Sequence, residues 1–223
     1  MGPVSILERD MYTEAAAARL LCVPQPTLHY WLEGKSYRGR TYEPVIRDRP
    51  TGKKVVTWAE FVEAGLLSQY RKKSVPLDEV RQFIKYLRDK FGVAYPLAHE
   101  RPWMAGKKLV IEAQEYVDLP REFWLFAPVG EQPLLLAPGQ YFLDRVEFAG
   151  GVVDAWRPAG SKSPVVIDPE QRSGQPSVDG ISTAVIFEYS ESGASASEIA
   201  EDFDLPVRDV RLAIAFEQER NAA

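Results

Sequence analysis

The chain reads as an α+β protein with a helix-turn-helix and wing at its N-terminal end. A small β-rich middle segment follows, and then a C-terminal three-helix unit of helix-turn-helix type. Three observations predict this. The pattern of two short helices joined by a tight turn occurs twice, over residues 12–34 and within residues 182–217. Between the copies, short apolar runs alternate with Gly and Pro turns, the signature of short strands. The two copies also sit in opposite charge. Residues 1–110 carry 19 Lys+Arg against 12 Asp+Glu, and the remainder carries 8 against 20, so the net charge of −5 averages two unlike halves. Asymmetry of this kind points to a nucleic-acid partner for the basic half.

Each element has a local cause. Thr13 suits an N-cap, and Glu14 with the alanines and leucines through Leu21 favours helix. Pro24 ends that helix by disfavouring helical geometry in Val23. A second helix is predicted from Gln25, with Pro26 in its first turn and Gly34 as its stop. Residues 42–47 and 54–57 read as the two strands of a wing around the turn residues 48–52. Thr57 and Glu60 form a capping-box pattern for a helix containing Trp58, Phe61, Val62, Leu66 and Leu67. Residues 76–91 carry one apolar face and stop at Gly92. In the middle, residues 107–112, 122–125, 134–136, 145–148 and 152–156 read as strands. A further strand is predicted over 164–169. Helices follow over 183–191, 196–203 (capped by Ser195 with Glu198) and from Val207 to about Glu219. The predicted domains are residues 1–95, 96–163 and 164–223.

The single cysteine, Cys22, excludes an internal disulfide and a cysteine-based metal cluster, and its apolar neighbours predict a small core residue. No signal-peptide pattern opens the sequence, and the apolar region 123–143 is broken by Glu131 and three prolines. A cytoplasmic protein with no membrane span is the expectation. Enzyme chemistry finds no support: the only histidines are His29 and His99, and no nucleophile, metal-ligand or phosphate-loop pattern occurs. The Asp168 and Asp179 pair brackets turns, where carboxylates are common. No cofactor and no metal is expected.

A helix-turn-helix reads DNA with its second helix, so Gln25, Thr27, His29 and Tyr30 are candidates for base and phosphate contact. Arg38, Arg40, Arg47, Arg49, Lys53 and Lys54 are the wing candidates for phosphate or minor-groove contact, and Arg71, Lys72 and Lys73 extend the basic stretch. One module of this size reads few bases, so a homodimer on paired half-sites of operator DNA is expected.

The sequence Tyr12-Thr13, the alanine-rich helix, the run from Val23 to Trp31 and the wing together resemble the DNA-binding domain of MerR-type regulators over about the first 90 residues. His29 stands where that family has Arg, and the family's dimerisation coiled coil is missing. The segment from Val166 through Gly180, with Gly193, the run Ile199 to Phe203 and Val210, resembles a small helical domain frequent in VapB-type antitoxins. The combination is similar to large, two-domain VapB-type antitoxins. This resemblance implies a VapC-type PIN-domain ribonuclease as partner and repression of the chain's own operon. For toxin contact the acidic helices of the second copy are candidates to meet a basic rim on the ribonuclease; in the alternative, Arg208, Arg211 and Arg220 of the last helix reach into its acidic metal site, with Leu212, Ile214 and Phe216 as apolar contacts. Two other functions compete. One is a one-component MerR-like regulator whose middle segment senses a small ligand, and the other is an interaction protein that touches no DNA.

Overall fold

A threonine at the end of a short strand starts the first α-helix. Strand β1 (Asp10–Thr13) runs into helix α1 (Glu14–Leu20) because the Thr13 hydroxyl accepts a hydrogen bond from the Ala16 amide at 3.2 Å. The computed structural model describes residues 5–69, 77–130 and 132–222. These form two compact units: one runs to Leu143 and takes in Phe148–Val153, and the other holds Asp144–Glu147 and the chain from Asp154.

In the first unit, α1 buries Ala17, Ala18 and Leu20, and residues 21–24 turn the chain into α2 (Gln25–Glu33), which buries Leu28, Trp31 and Leu32. Cys22 is exposed, not a core residue as expected. Its φ of 52° is a left-handed turn conformation that sets it apart from its buried neighbours Leu21 and Val23. The first hairpin also differs from the expected wing. Strands β2 (Lys35–Tyr37) and β3 (Arg40–Tyr42) pair around Arg38 and Gly39, both with positive φ, the geometry of a tight two-residue hairpin turn. The strand expected over 54–57 exists as β4 (Val55–Thr57), but it pairs antiparallel with β1, Tyr12 opposite Val56. Residues 43–47 are not a strand, because Val45 and Ile46 are buried and donate their amides to the Trp31 carbonyl at 2.8 and 2.9 Å.

Thr57 and Glu60 close the expected capping box on α3 (Trp58–Ser68), a helix buried all round from Trp58 to Leu67. Helix α4 (Leu77–Phe91) lays Val80, Phe83, Ile84 and Leu87 on the core. The middle of the chain is mixed where strands alone were expected. Residues 107–112 belong to helix α5 (Lys107–Tyr116), whose buried Val110, Ile111, Ala113 and Gln114 follow a helical period that the β-branched pair obscures. Residues 122–125 lie in and after a single 3-10 turn, Arg121–Phe123. Strands β5 (Phe126–Val129) and β6 (Gln132–Leu135) form a hairpin that Gln114 pins to α5 by bonding the Leu125 amide at 2.7 Å and the Phe126 carbonyl at 2.8 Å. Helix α6 (Ala137–Leu143) brings Phe142 onto Trp103, ring centroids 4.5 Å apart. The tip of the hairpin β7 (Val146–Ala149) and β8 (Val152–Trp156) completes the unit, with Trp58 Nε1 donating to the Val153 carbonyl at 2.7 Å.

The second unit begins at the base of that hairpin. Residues 164–169, expected as a strand, carry only isolated bridges, Trp156 to Ile167 and Val166 to Ser177. Strands β9 (Ser177–Val178) and β10 (Ile181–Ser182) precede α7 (Thr183–Glu191), α8 (Ala196–Phe203) and α9 (Val207–Ala222). Ser195 and Glu198 form the capping box of α8, and Val165, Val178, Ile186, Ile199, Val210 and Phe216 share one core. Among the described residues no helix is long and apolar enough to cross a membrane.

Candidate functional site

The candidate reading helix α2 is held from both sides. Gln25 is exposed on its first turn, Thr27 and Tyr30 are half-buried, and among the described residues no side chain caps its N-terminus. His29 is engaged inside the unit: its Nδ1 lies 3.0 and 3.1 Å from the two oxygens of the buried Glu14 carboxylate, while 40% of the histidine side chain stays accessible. The Tyr30 ring faces the Lys35 ammonium at 4.6 Å, and its hydroxyl meets Arg81 at 3.4 Å. Arg81 also donates to the carbonyls of Glu43 and Pro44 at 3.0 and 2.9 Å, which fixes the segment returning from the β2–β3 hairpin.

Arg47 corrects the sequence reading. It is 4% exposed, and its guanidinium is bound on every side. It pairs with Glu60 at 2.7 Å and with Glu33, and donates to the Thr51 hydroxyl and the Val55 carbonyl at 2.7 Å each. A guanidinium so enclosed has no donor to offer a phosphate. Burial alone lowers its pKa, but the two carboxylates reverse this and hold the charge more firmly than usual. Burial likewise works to raise the pKa of Glu33. The Gly52 amide, the Thr51 hydroxyl and amide, and Arg47 outweigh it, so this carboxyl lies below the ordinary range. Both amides donate to Glu33 at 2.8 Å, so one carboxylate at the end of α2 fixes the turn of the 48–54 loop.

The other predicted wing residues are placed differently. Arg38, Arg40, Arg49, Lys53 and Lys54 are exposed. Two basic segments therefore start from the C-terminal end of α2: the β2–β3 hairpin follows directly after Gly34, and the 48–54 loop is tied to Glu33. Gly34 is required there. Its φ is 70°, and a Cβ would meet the Tyr42 carbonyl oxygen at 2.2 Å. The residues that sequence reasoning missed are Lys35, the exposed Tyr37 and the positioning residue Arg81. Arg38 lies 5.2 Å over the Tyr37 ring, and the available signal was the glycine-containing pair between Tyr37 and Arg40, a hairpin mark. Arg71, Lys72 and Lys73 lie outside the described residues.

In the second unit the arginine candidates divide. Arg208 and Arg211 are exposed and line a groove with the loop 159–163. Arg220 is not free to reach a partner. It bonds both oxygens of the buried Glu217 at 2.7 and 2.8 Å and lies 5.3 Å over Phe216, while Glu217 also accepts from Thr183. Arg220 thus joins the contact between α9 and α7. Leu212 and Ile214 are partly buried and Phe216 belongs to the core. Among the described residues no group of three or more His, Cys, Asp or Glu side chains is placed to hold a metal ion.

The arrangement defines an α+β chain with a basic helix–hairpin–loop surface on one unit and an acidic helical second unit. Known proteins are similar to this chain. Residues 165–216 match a family described as "Protein of unknown function (DUF433)". Over its full length the chain is similar to "Uncharacterized protein Rv2308" of Mycobacterium tuberculosis, 28% identical and covering 96% of that protein. It is also similar to the "Putative antitoxin VapB45" of the same organism, 25% identical over 92% of each chain. The crystal structure of Rv2018 from Mycobacterium tuberculosis superposes with a TM-score of 0.75 at 25% identity, covering 93% of this chain and 99% of the other.

Proposed function

We propose that this chain is the antitoxin of a type II toxin–antitoxin pair. It binds and neutralises a VapC-type PIN-domain ribonuclease in the cytoplasm and represses its own operon by binding DNA. The observation that carries the reading is similarity along nearly the whole chain, not one domain, to the protein named "Putative antitoxin VapB45".

The charge distribution supports the division of labour. In the DNA-binding half, α1, the turn and α2 act as a helix-turn-helix, with Gln25, Thr27 and Tyr30 toward the bases. Lys35, Arg38 and Arg40 on the hairpin and Arg49, Lys53 and Lys54 on the loop act as two flanking phosphate clamps. His29 contributes through its Glu14 contact by fixing the orientation of α2. Two copies of the chain bind paired half-sites as a homodimer. The second unit meets the toxin, since its exposed carboxylates complement the basic surface expected of an RNA-cutting enzyme. No catalytic step is assigned to the chain itself.

The test is a pull-down with the product of the reading frame beside this one, provided that product carries the spaced acidic residues of a PIN domain. Co-purification at equimolar ratio, together with a gel shift on the DNA upstream of the pair, is expected. A shift without co-purification leaves a DNA-binding protein and removes the antitoxin reading.

A further inference from the structure

The second unit is acidic on its surface, with Glu188, Glu191, Glu198, Glu201, Asp202 and Asp204 all exposed. Two of its arginines are engaged: Arg157 pairs with Glu147 at 2.5 Å and Arg220 with Glu217 at 2.7 Å. Lys162, Arg208 and Arg211, by contrast, gather around a groove of about 510 Å³ between the 159–163 loop and α9, where three cations stand against one carboxylate, Glu219. Arg208 donates to the Lys162 carbonyl at 3.4 Å, which joins the two sides of the rim. The floor is apolar. Leu212, Ala215 and Phe216 stand three and four residues apart along α9, so one helical face presents them together.

We propose that this groove docks an acidic segment of a protein partner, with an apolar side chain seated on Leu212, Ala215 and Phe216 and carboxylates meeting Lys162, Arg208 and Arg211. Charge complementarity selects the occupant. A cationic rim on an otherwise anionic unit attracts carboxylates only at short range, because salt screens its field within about 8 Å. A nucleic-acid duplex, far longer than the groove, would feel the net negative charge of the unit, whereas a short peptide meets chiefly the three rim cations. The floor favours the same choice, since an apolar anchor inside a polar ring is how peptide grooves gain affinity. The proposal stands whether or not the partner is a ribonuclease.

The experiment uses the full chain and fluorescence anisotropy with three labelled probes: a decapeptide alternating Glu and Leu, its Lys and Leu counterpart, and a duplex of the upstream DNA. The Glu peptide is expected to bind and the Lys peptide not. Arg208→Glu with Arg211→Glu should weaken the Glu peptide by about tenfold or more, as loss of two rim cations implies. Ala215→Trp, which fills the floor and leaves every charge in place, should weaken it similarly, with duplex affinity unchanged in both. Equal binding of the two peptides, or no binding of the Glu peptide, overturns the proposal. So does indifference to either variant in protein whose melting temperature is unchanged. Loss of duplex affinity on charge reversal, with peptide binding intact, would assign the groove to nucleic acid instead. Should the charge reversal unfold the unit, Arg208→Gln with Arg211→Gln takes its place under the same criteria.

Discussion

Replacing Arg47 by Met should unfold the first unit more readily without removing any surface charge. The side chain is 4% exposed and stands between Glu33 and Glu60, whose side chains are 8% and 4% exposed. Its loss leaves two nearly buried carboxylates without a counter-charge and frees the Val55 carbonyl. Breaking a buried pair from one side costs about 3–5 kcal/mol, a large part of the roughly 5–15 kcal/mol that holds a domain folded. In a chain of this size that corresponds to a fall in melting temperature of roughly 10 °C. The assay is urea unfolding followed by tryptophan fluorescence, since Trp31, Trp58, Trp103 and Trp124 all lie in the first unit. Adding Glu33→Gln and Glu60→Gln to the variant should recover part of the loss, because the uncompensated charges disappear. Stability within about 0.5 kcal/mol of the parent, the range of an ordinary surface change, would refute the buried network and return Arg47 to the phosphate contacts.

Three further outcomes follow from the same geometry. Glu63 is fully buried, with one oxygen unpartnered and the other accepting from the Leu97 amide at 3.0 Å; burial pushes its carboxyl up to about 8 against the pull of Arg88. Its folded-state value exceeds its unfolded one, so this stabilisation is complete in acid and is lost as pH rises toward 8. Unfolding free energy should fall by about 1.4 kcal/mol per pH unit across much of that window, level off above it, and lose the slope in Glu63→Gln. Gly34→Ala should cost about 1–3 kcal/mol for its positive φ with extended ψ alone, a backbone region nearly confined to glycine. The clash with the Tyr42 carbonyl adds to this, and thermal melts with hairpin amide exchange would report both. Arg38→Ala with Arg40→Ala should leave the melting temperature unchanged and reduce the slope of log affinity against log salt by about two. An unchanged slope removes the hairpin from the DNA contacts.

Local chemistry made most helices legible. Thr13, Thr57 and Ser195 mark their starts with the cap bonds seen in the structure, and the basic character of the α2 surroundings was plain from Lys35 to Lys54. What sequence could not show was which cations are needed inside. Arg47 and Arg49 are two residues apart and look alike, yet burial of Glu33 and Glu60 claims one and leaves the other in solvent. Strand pairing was equally hidden: β4 was recognisable, but its partner β1 lies across the whole first helix pair in sequence. In α5, Val110 and Ile111 carried a strand signal that the buried face formed with Ala113 and Gln114 overrode. For Arg220 the deciding partner, Glu217, lies one turn away on the same helix, and only its burial distinguishes this pair from an ordinary surface one.

The most direct test of the antitoxin role is growth of cells that express the neighbouring PIN-type protein, with and without this chain. The account predicts arrest when that protein is expressed alone, and restored growth with a recoverable complex when the two are expressed together. Arrest that persists despite soluble co-expressed chain would contradict it.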